Sequence, residues 1–168
     1  MTDYENRMLI LDDNDHNRTL IKFAMQMAAL RFDDAATGAE ALRLFQQNKG
    51  CYSFAILDIM LPDMSGLEVA RAIRQVDAGI ALIMCSTNDE SYSIEQAVRY
   101  DCDLYIVKPF QFDKLVSIAR LMNRINLRTA SQMMIIDNMG RTRWELRQPR
   151  NVIRHFPVDR AIGTGLSK

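Results

Sequence analysis

Five times between residues 8 and 126, a short apolar run gives way to a segment whose apolar positions recur every three or four residues. The apolar runs are Met8–Leu11, the weaker Phe32–Ala36, Phe54–Leu57, Ile80–Cys85 and Leu104–Val107, and each reads as a strand. The periodic segments that follow read as helices. They run through Leu20, Phe23, Ala24, Met27 and Leu30, then Ala41, Leu44 and Phe45, then Leu67, Ala70 and Ile73, then Ile94, Ala97 and Val98, and finally Leu115, Ile118, Ala119, Met122 and Ile125. Three of these helices open on an S/T-x-x-E capping box: Thr37 with Glu40, Ser65 with Glu68, and Thr87 with Glu90. Strands that are apolar without alternation are buried on both faces, so the repeat predicts an α/β fold: a doubly wound, five-stranded parallel sheet flanked by five helices.

The pattern stops near Asn126. Residues 1–126 carry 13 basic and 18 acidic side chains, whereas residues 127–168 carry 8 and 3, so a net −5 segment precedes a net +5 segment. The chain therefore divides into a domain over 1–126 and a basic C-terminal extension over 127–168. In the extension, Met133–Ile136, Thr142–Leu146 and Val152–Phe156 read as short strands joined by turns, although a solvated tail fits the composition as well. Its charge and Trp144 permit a nucleic-acid contact without pointing to one. The whole chain is neutral, 48% hydrophobic and 25% charged, which are globular values and exclude a wholly basic nucleic-acid binder. No run approaches the length of a membrane span, and MTDYENRMLI is no export signal, so a cytoplasmic location is expected. Cys51, Cys85 and Cys102 are odd in number and lack metal spacing, which suits reduced thiols.

In a doubly wound sheet, ligands bind beyond the carboxyl ends of the strands. Here the first strand ends in Asp12-Asp13, the third in Asp58, the fourth in Ser86-Thr87 and the fifth in Lys108-Pro109. If the first and third strands are neighbours, three carboxylates converge, at a cost that a hard divalent cation relieves; Mg²⁺ is the natural choice. A lysine and a hydroxyl facing the same place would complete a site for a phosphoryl group, with one carboxylate as nucleophile.

These residues resemble the receiver domain of two-component response regulators, along the whole of residues 8–125. The resemblance is carried by Leu11-Asp12-Asp13-Asn14, by Leu57-Asp58-Ile59-Met60-Leu61-Pro62-Asp63-Met64-Ser65-Gly66, by Cys85-Ser86-Thr87 and by Tyr105-Ile106-Val107-Lys108-Pro109-Phe110. It implies a flavodoxin-like strand order 2-1-3-4-5 and phosphoryl transfer from a histidine kinase, or a histidine phosphotransfer protein, to an aspartate. On this chain, the resemblance makes Asp58 the phosphoacceptor. Asp13 becomes a direct Mg²⁺ ligand, Asp12 an acid holding the ion largely through water, and the Met60 carbonyl a further ligand. It pairs Lys108 with the phosphoryl oxygens across a cis Lys108–Pro109 bond, and makes Ser86 a switch hydroxyl and Tyr105 an aromatic switch that turns inward on phosphorylation. Met60 and Asn88 occupy positions that tune the lifetime of the acyl phosphate; Asn88 can orient a water and the Met60 side chain cannot. Phosphorylation would then remodel the face formed by the fourth helix, fifth strand and fifth helix, for a partner or a homodimer. Cys102-Asp103 departs from the family's usual small residues before the fifth strand.

Two other classes remain open. Asp13-Asn14-Asp15 matches a fragment of haloacid-dehalogenase-type phosphatases, although His16 follows where that family has Thr or Val and no acidic pair follows Lys108. A receiver-like interaction module that is never phosphorylated is the other. His16 itself reads as a solvated residue in the first turn of the first helix.

Overall fold

The computed structural model describes residues 7–87, 91–122 and 132–146. Strands β1 (Arg7–Leu11), β2 (Arg31–Ala35), β3 (Tyr52–Asp58), β4 (Ala81–Ser86) and β5 (Leu104–Val107) alternate with helices α1 (Asp15–Met27), α2 (Gly38–Gln47), α3 (Gly66–Val76), α4 (Ser91–Arg99) and α5 (Phe112–Met122). Two further strands follow, β6 (Gln132–Ile136) and β7 (Thr142–Leu146). The sheet order is β2-β1-β3-β4-β5-β6-β7. The five-stranded expectation thus holds in its order, and the two added strands come from the short C-terminal extension.

β1, β3 and β4 are buried along almost their entire length, as expected of strands covered on both faces. On one face Met8, Ile10, Phe54, Ile56, Ile83 and Ile106 pack against α1 and α5; on the other Leu9, Leu11, Ala55, Leu57, Leu82 and Tyr105 pack against α2, α3 and α4. The Ser65 box forms as expected: Ser65 Oγ accepts from the Leu67 amide, and Glu68 accepts from the Ser65 amide at 2.9 Å. Thr37 caps α2 through the Glu40 amide, but the Glu40 carboxylate reaches one residue further back, to the Ala36 amide. Glu90 of the third box lies outside the described residues.

The buried face of α1 matches its spacing only in part: Ala24 and Leu30 are buried as expected, Phe23 and Met27 are not. Ile21, Ala24 and Met25 are buried, while Phe23 and Met27 are more than half exposed and Leu30 lies beyond the helix. Two overlapping apolar sets offer the same spacing, and packing against α5 selects one of them.

Part of the extension is ordered sheet rather than a solvated tail. β6 pairs in parallel with β5, Tyr105 opposite Ile135, and β7 returns antiparallel along β6. Met133 and Ile135 are fully buried in the same layer as Tyr105. The turn between β6 and β7 is fixed by Asp137, which accepts from the Met139 and Arg141 amides, and by Gly140 at φ +75, the left-handed region that glycine adopts without strain. The turn docks on the start of α5, where Gln111 Nε2 donates to the Asn138 carbonyl at 3.0 Å.

β5 is consequently no edge strand. The surface expected from the fourth helix, fifth strand and fifth helix is carried outward by β6 and β7. Asp103, one of the two unusual residues before β5, ties the sheet together. Its buried carboxylate accepts from the Leu82 amide at 2.8 Å and from Arg74 at 3.2 Å. Its carbonyl accepts from the Met134 amide of β6. Val152–Phe156 lies outside the described residues.

Candidate phosphoryl-transfer site

β1 and β3 are hydrogen-bonded neighbours, so Asp12 and Asp13 follow one strand just beside the end of the other at Asp58. Carboxylate oxygens of Asp12, Asp13 and Asp58 all lie within 4.8 Å of one another. Asp12 and Asp58 are buried, whereas Asp13 is exposed at the mouth. Lys108, after β5, reaches across to both buried acids: Nζ donates to Asp12 Oδ2 at 2.7 Å and to Asp58 Oδ2 at 2.6 Å. The peptide between Lys108 and Pro109 is cis. The Lys108 amide also donates to the Ser86 carbonyl at 2.7 Å, which fixes the fifth loop against the end of β4.

The remaining oxygens are held individually. Asp12 Oδ1 accepts from the Asn14 amide and from Asn17 Nδ2; Asp58 Oδ1 accepts from the Met60 amide at 3.2 Å. Arg18 donates to the Asp12 and Asp13 carbonyls and so pins the first loop. Burial, reinforced by the charge of Asp12, pushes the Asp58 carboxyl above the usual carboxylate range, against the opposing pull of Lys108 and the Met60 amide. Burial pulls the Lys108 ammonium down, but its hydrogen bonds to Asp12 and Asp58 outweigh this and hold it above its ordinary value. The four groups together carry a formal −2, which one divalent cation would balance.

Of the residues singled out in the sequence, Asp12, Asp13, Asp58 and Lys108 meet in one place. Ser86 is buried at the end of β4, one residue beyond Cys85, the register partner of Asp58. The Met60 amide belongs to the site while its side chain is 70% exposed. Asn88 lies outside the described residues. Tyr105 is fully buried, and Met133 and Ile135 close the layer around it. His16 is exposed in the first turn of α1, as expected. Asp15 is 83% exposed and ion-paired to Arg18 at 2.8 Å, so it does not face Asp13 as a dehalogenase-type pair requires.

Two residues of the motif have roles that their letters did not announce. A Cβ on Gly66 would lie 1.8 Å from the Asp58 carbonyl oxygen, so α3 can begin this close to the acid only as glycine. Asp63 reaches 25 residues back, accepting from the Gly38 and Ala39 amides at 3.0 and 2.9 Å and tying the loop after β3 to the start of α2. Those two hydrogen bonds hold the Asp63 carboxyl below its ordinary value. An acid within a turn was the only local clue, and its partner is non-local.

Acids at the ends of β1 and β3 and a lysine after β5 place this chain among doubly wound α/β domains with an acidic cleft at the carboxyl ends of the parallel strands. The family model for the response regulator receiver domain matches residues 8–120, and the chain belongs to that family. Among curated relatives, the transcriptional regulatory protein SrrA of Staphylococcus aureus is 31% identical over 128 residues, 76% of this chain and 52% of SrrA. The chain thus spans about half the length of the curated relatives it matches. Among solved structures, the Thermotoga maritima response regulator TrrA, in complex with Mg²⁺-BeF, is 34% identical with a TM-score of 0.61, covering 70% of this chain and 98% of TrrA. A two-component response regulator from Clostridium difficile is 25% identical with a TM-score of 0.66, covering 71% of this chain and 96% of that one. Among the described residues, no helix is long and apolar enough to cross a membrane.

Proposed function

We propose that this receiver takes a phosphoryl group onto Asp58 from the phosphohistidine of a histidine kinase or histidine phosphotransfer protein, in an Mg²⁺-dependent reaction. The observation that carries the reading is the convergence of three carboxylates on a lysine that bridges two of them. An Asp58 carboxylate oxygen forms the bond to phosphorus as the phosphorus–nitrogen bond breaks, and the electron pair leaves with the imidazole. Lys108 then turns its hydrogen bonds from the bare carboxylate to the phosphoryl oxygens, and Ser86 offers its hydroxyl to the same group.

The donor set is all oxygen, net negative and partly exposed through Asp13, which suits Mg²⁺. Asp12, Asp13, Asp58 and the Met60 carbonyl would hold the ion, and when bound it would neutralise charge on the transferring group. The relative TrrA supports this reading, since its structure carries Mg²⁺ with a beryllium fluoride.

Ser86, the loop after β5 and Tyr105 are the parts that would respond to the phosphoryl group. That loop connects to the turn between β6 and β7 through Gln111 and Asn138, which makes the hairpin a candidate relay to a partner. Calorimetry with beryllofluoride tests the site. Binding is expected with Mg²⁺ and not after chelation, and it should be lost in Asp13→Asn. Binding that ignores Mg²⁺ would contradict the reading.

A further inference from the structure

We propose that β7 is a self-association edge, along which two copies of the chain pair antiparallel about a two-fold axis at Trp144. This goes beyond the phosphoryl reading and does not depend on it. β7 is the last strand of the sheet; one edge pairs with β6, and among the described residues no strand pairs with the other. Such an edge is a template for another strand. Its pairing to β6 runs without a bulge, and residues 141–145 are exposed, with Trp144 at 49%. Proteins guard exposed edges with charged side chains, proline or a bulge, and charges of one sign repel a second copy most directly. Residues 142–146, Thr-Arg-Trp-Glu-Leu, carry no proline and no bulge, and their two charges, Arg143 and Glu145, are opposite in sign.

The sequence of the strand decides the occupant. Antiparallel pairing centred on Trp144 sets each Arg143 directly opposite Glu145 of the other copy, twice, with Trp144 opposite Trp144. Opposite charges and aromatic pairs in directly facing positions stabilise a sheet. Parallel pairing in register would set Arg143 on Arg143 and Glu145 on Glu145. Of the two arginines that flank the strand, Arg141 and Arg147, Arg141 is bound to Asp137 within its own chain at 2.7 Å. The strand is therefore complementary to itself in the orientation that closes as a two-fold dimer. An edge of five residues is a small contact, which places the dimer among weak, concentration-dependent associations.

Sedimentation velocity of the full chain over a concentration series, without a phosphoryl donor, tests this. The wild type is expected to self-associate. Arg143→Glu sets Glu against Glu, and Glu145→Arg sets Arg against Arg. Each should weaken association about tenfold or more, since two attractive pairs become repulsive. The double variant, Arg143→Glu with Glu145→Arg, restores opposite charges and should return association to the wild-type level. All three variants change exposed positions only, so the fold is spared. A chain that stays monomeric throughout, a dimer unmoved by the single changes, or a double variant as weak as the singles would each overturn the proposal.

Discussion

Replacing Lys108 with alanine should leave Mg²⁺ binding at least as tight as in the wild type while slowing phosphoryl uptake about a hundredfold or more. The two effects have opposite signs for one reason. The Lys108 ammonium is the positive charge that touches both buried acids, at 2.6 and 2.7 Å. Without it the three carboxylates carry a formal −3 instead of −2, which favours a divalent cation. The phosphoryl group, itself an anion, meanwhile loses its ammonium partner. The fold should suffer too, because removing one member of a buried ion pair leaves charges without compensation, at about 3–5 kcal/mol. Mg²⁺ titration, uptake from acetyl phosphate and thermal denaturation read the three effects. Equal loss of Mg²⁺ and phosphoryl binding would show that Lys108 only supports the fold.

Gly66→Ala should damage the same site without touching a ligand. The added Cβ would fall 1.8 Å from the Asp58 carbonyl oxygen, 2.7 Å from its carbonyl carbon and 3.2 Å from Ile59 Cα. All three are backbone atoms, so no side chain can swing away, and the loop after β3 or the start of α3 must shift. A cost of about 3 kcal/mol or more follows. Weaker Mg²⁺ binding should accompany it, since the displaced backbone carries Asp58. Gly38→Ala is the control. There the new methyl meets chiefly Met64 Cγ and Sδ, parts of a flexible side chain, and the loss should be smaller. Melting temperatures and Mg²⁺ affinities for the pair check the contrast; equal losses would remove the special role of Gly66.

What could be read from the letters follows the range of the interactions. β1, β3, β4 and β5 were legible because burial on both faces leaves uninterrupted apolar runs, and Asp12, Asp58 and Lys108 because they end those runs. The face of α1 was legible only at Ala24, since Leu20, Phe23 and Met27 fit helical spacing around it as well as Ile21 and Met25 do, and only contact with α5 decides between them. The apolar runs of β6 and β7 were visible, but a strand does not carry the identity of its neighbour. Pairing of β6 with β5 depends on the Tyr105–Ile135 register and on the Met134 amide meeting the Asp103 carbonyl, both non-local. For the same reason the layer around Tyr105 could not be foreseen in full: Met133 and Ile135, which complete it, come from the extension.

The claim on which the rest depends is that Asp58, among the gathered acids, is the one that takes the phosphoryl group. Intact-mass measurement after incubation with acetyl phosphate and Mg²⁺ tests it most directly. The wild type should gain the mass of one phosphoryl group, lose the gain when Mg²⁺ is chelated, and show none as Asp58→Asn. A wild type that never gains the mass, or an Asp58→Asn variant that gains it as readily, would contradict the account.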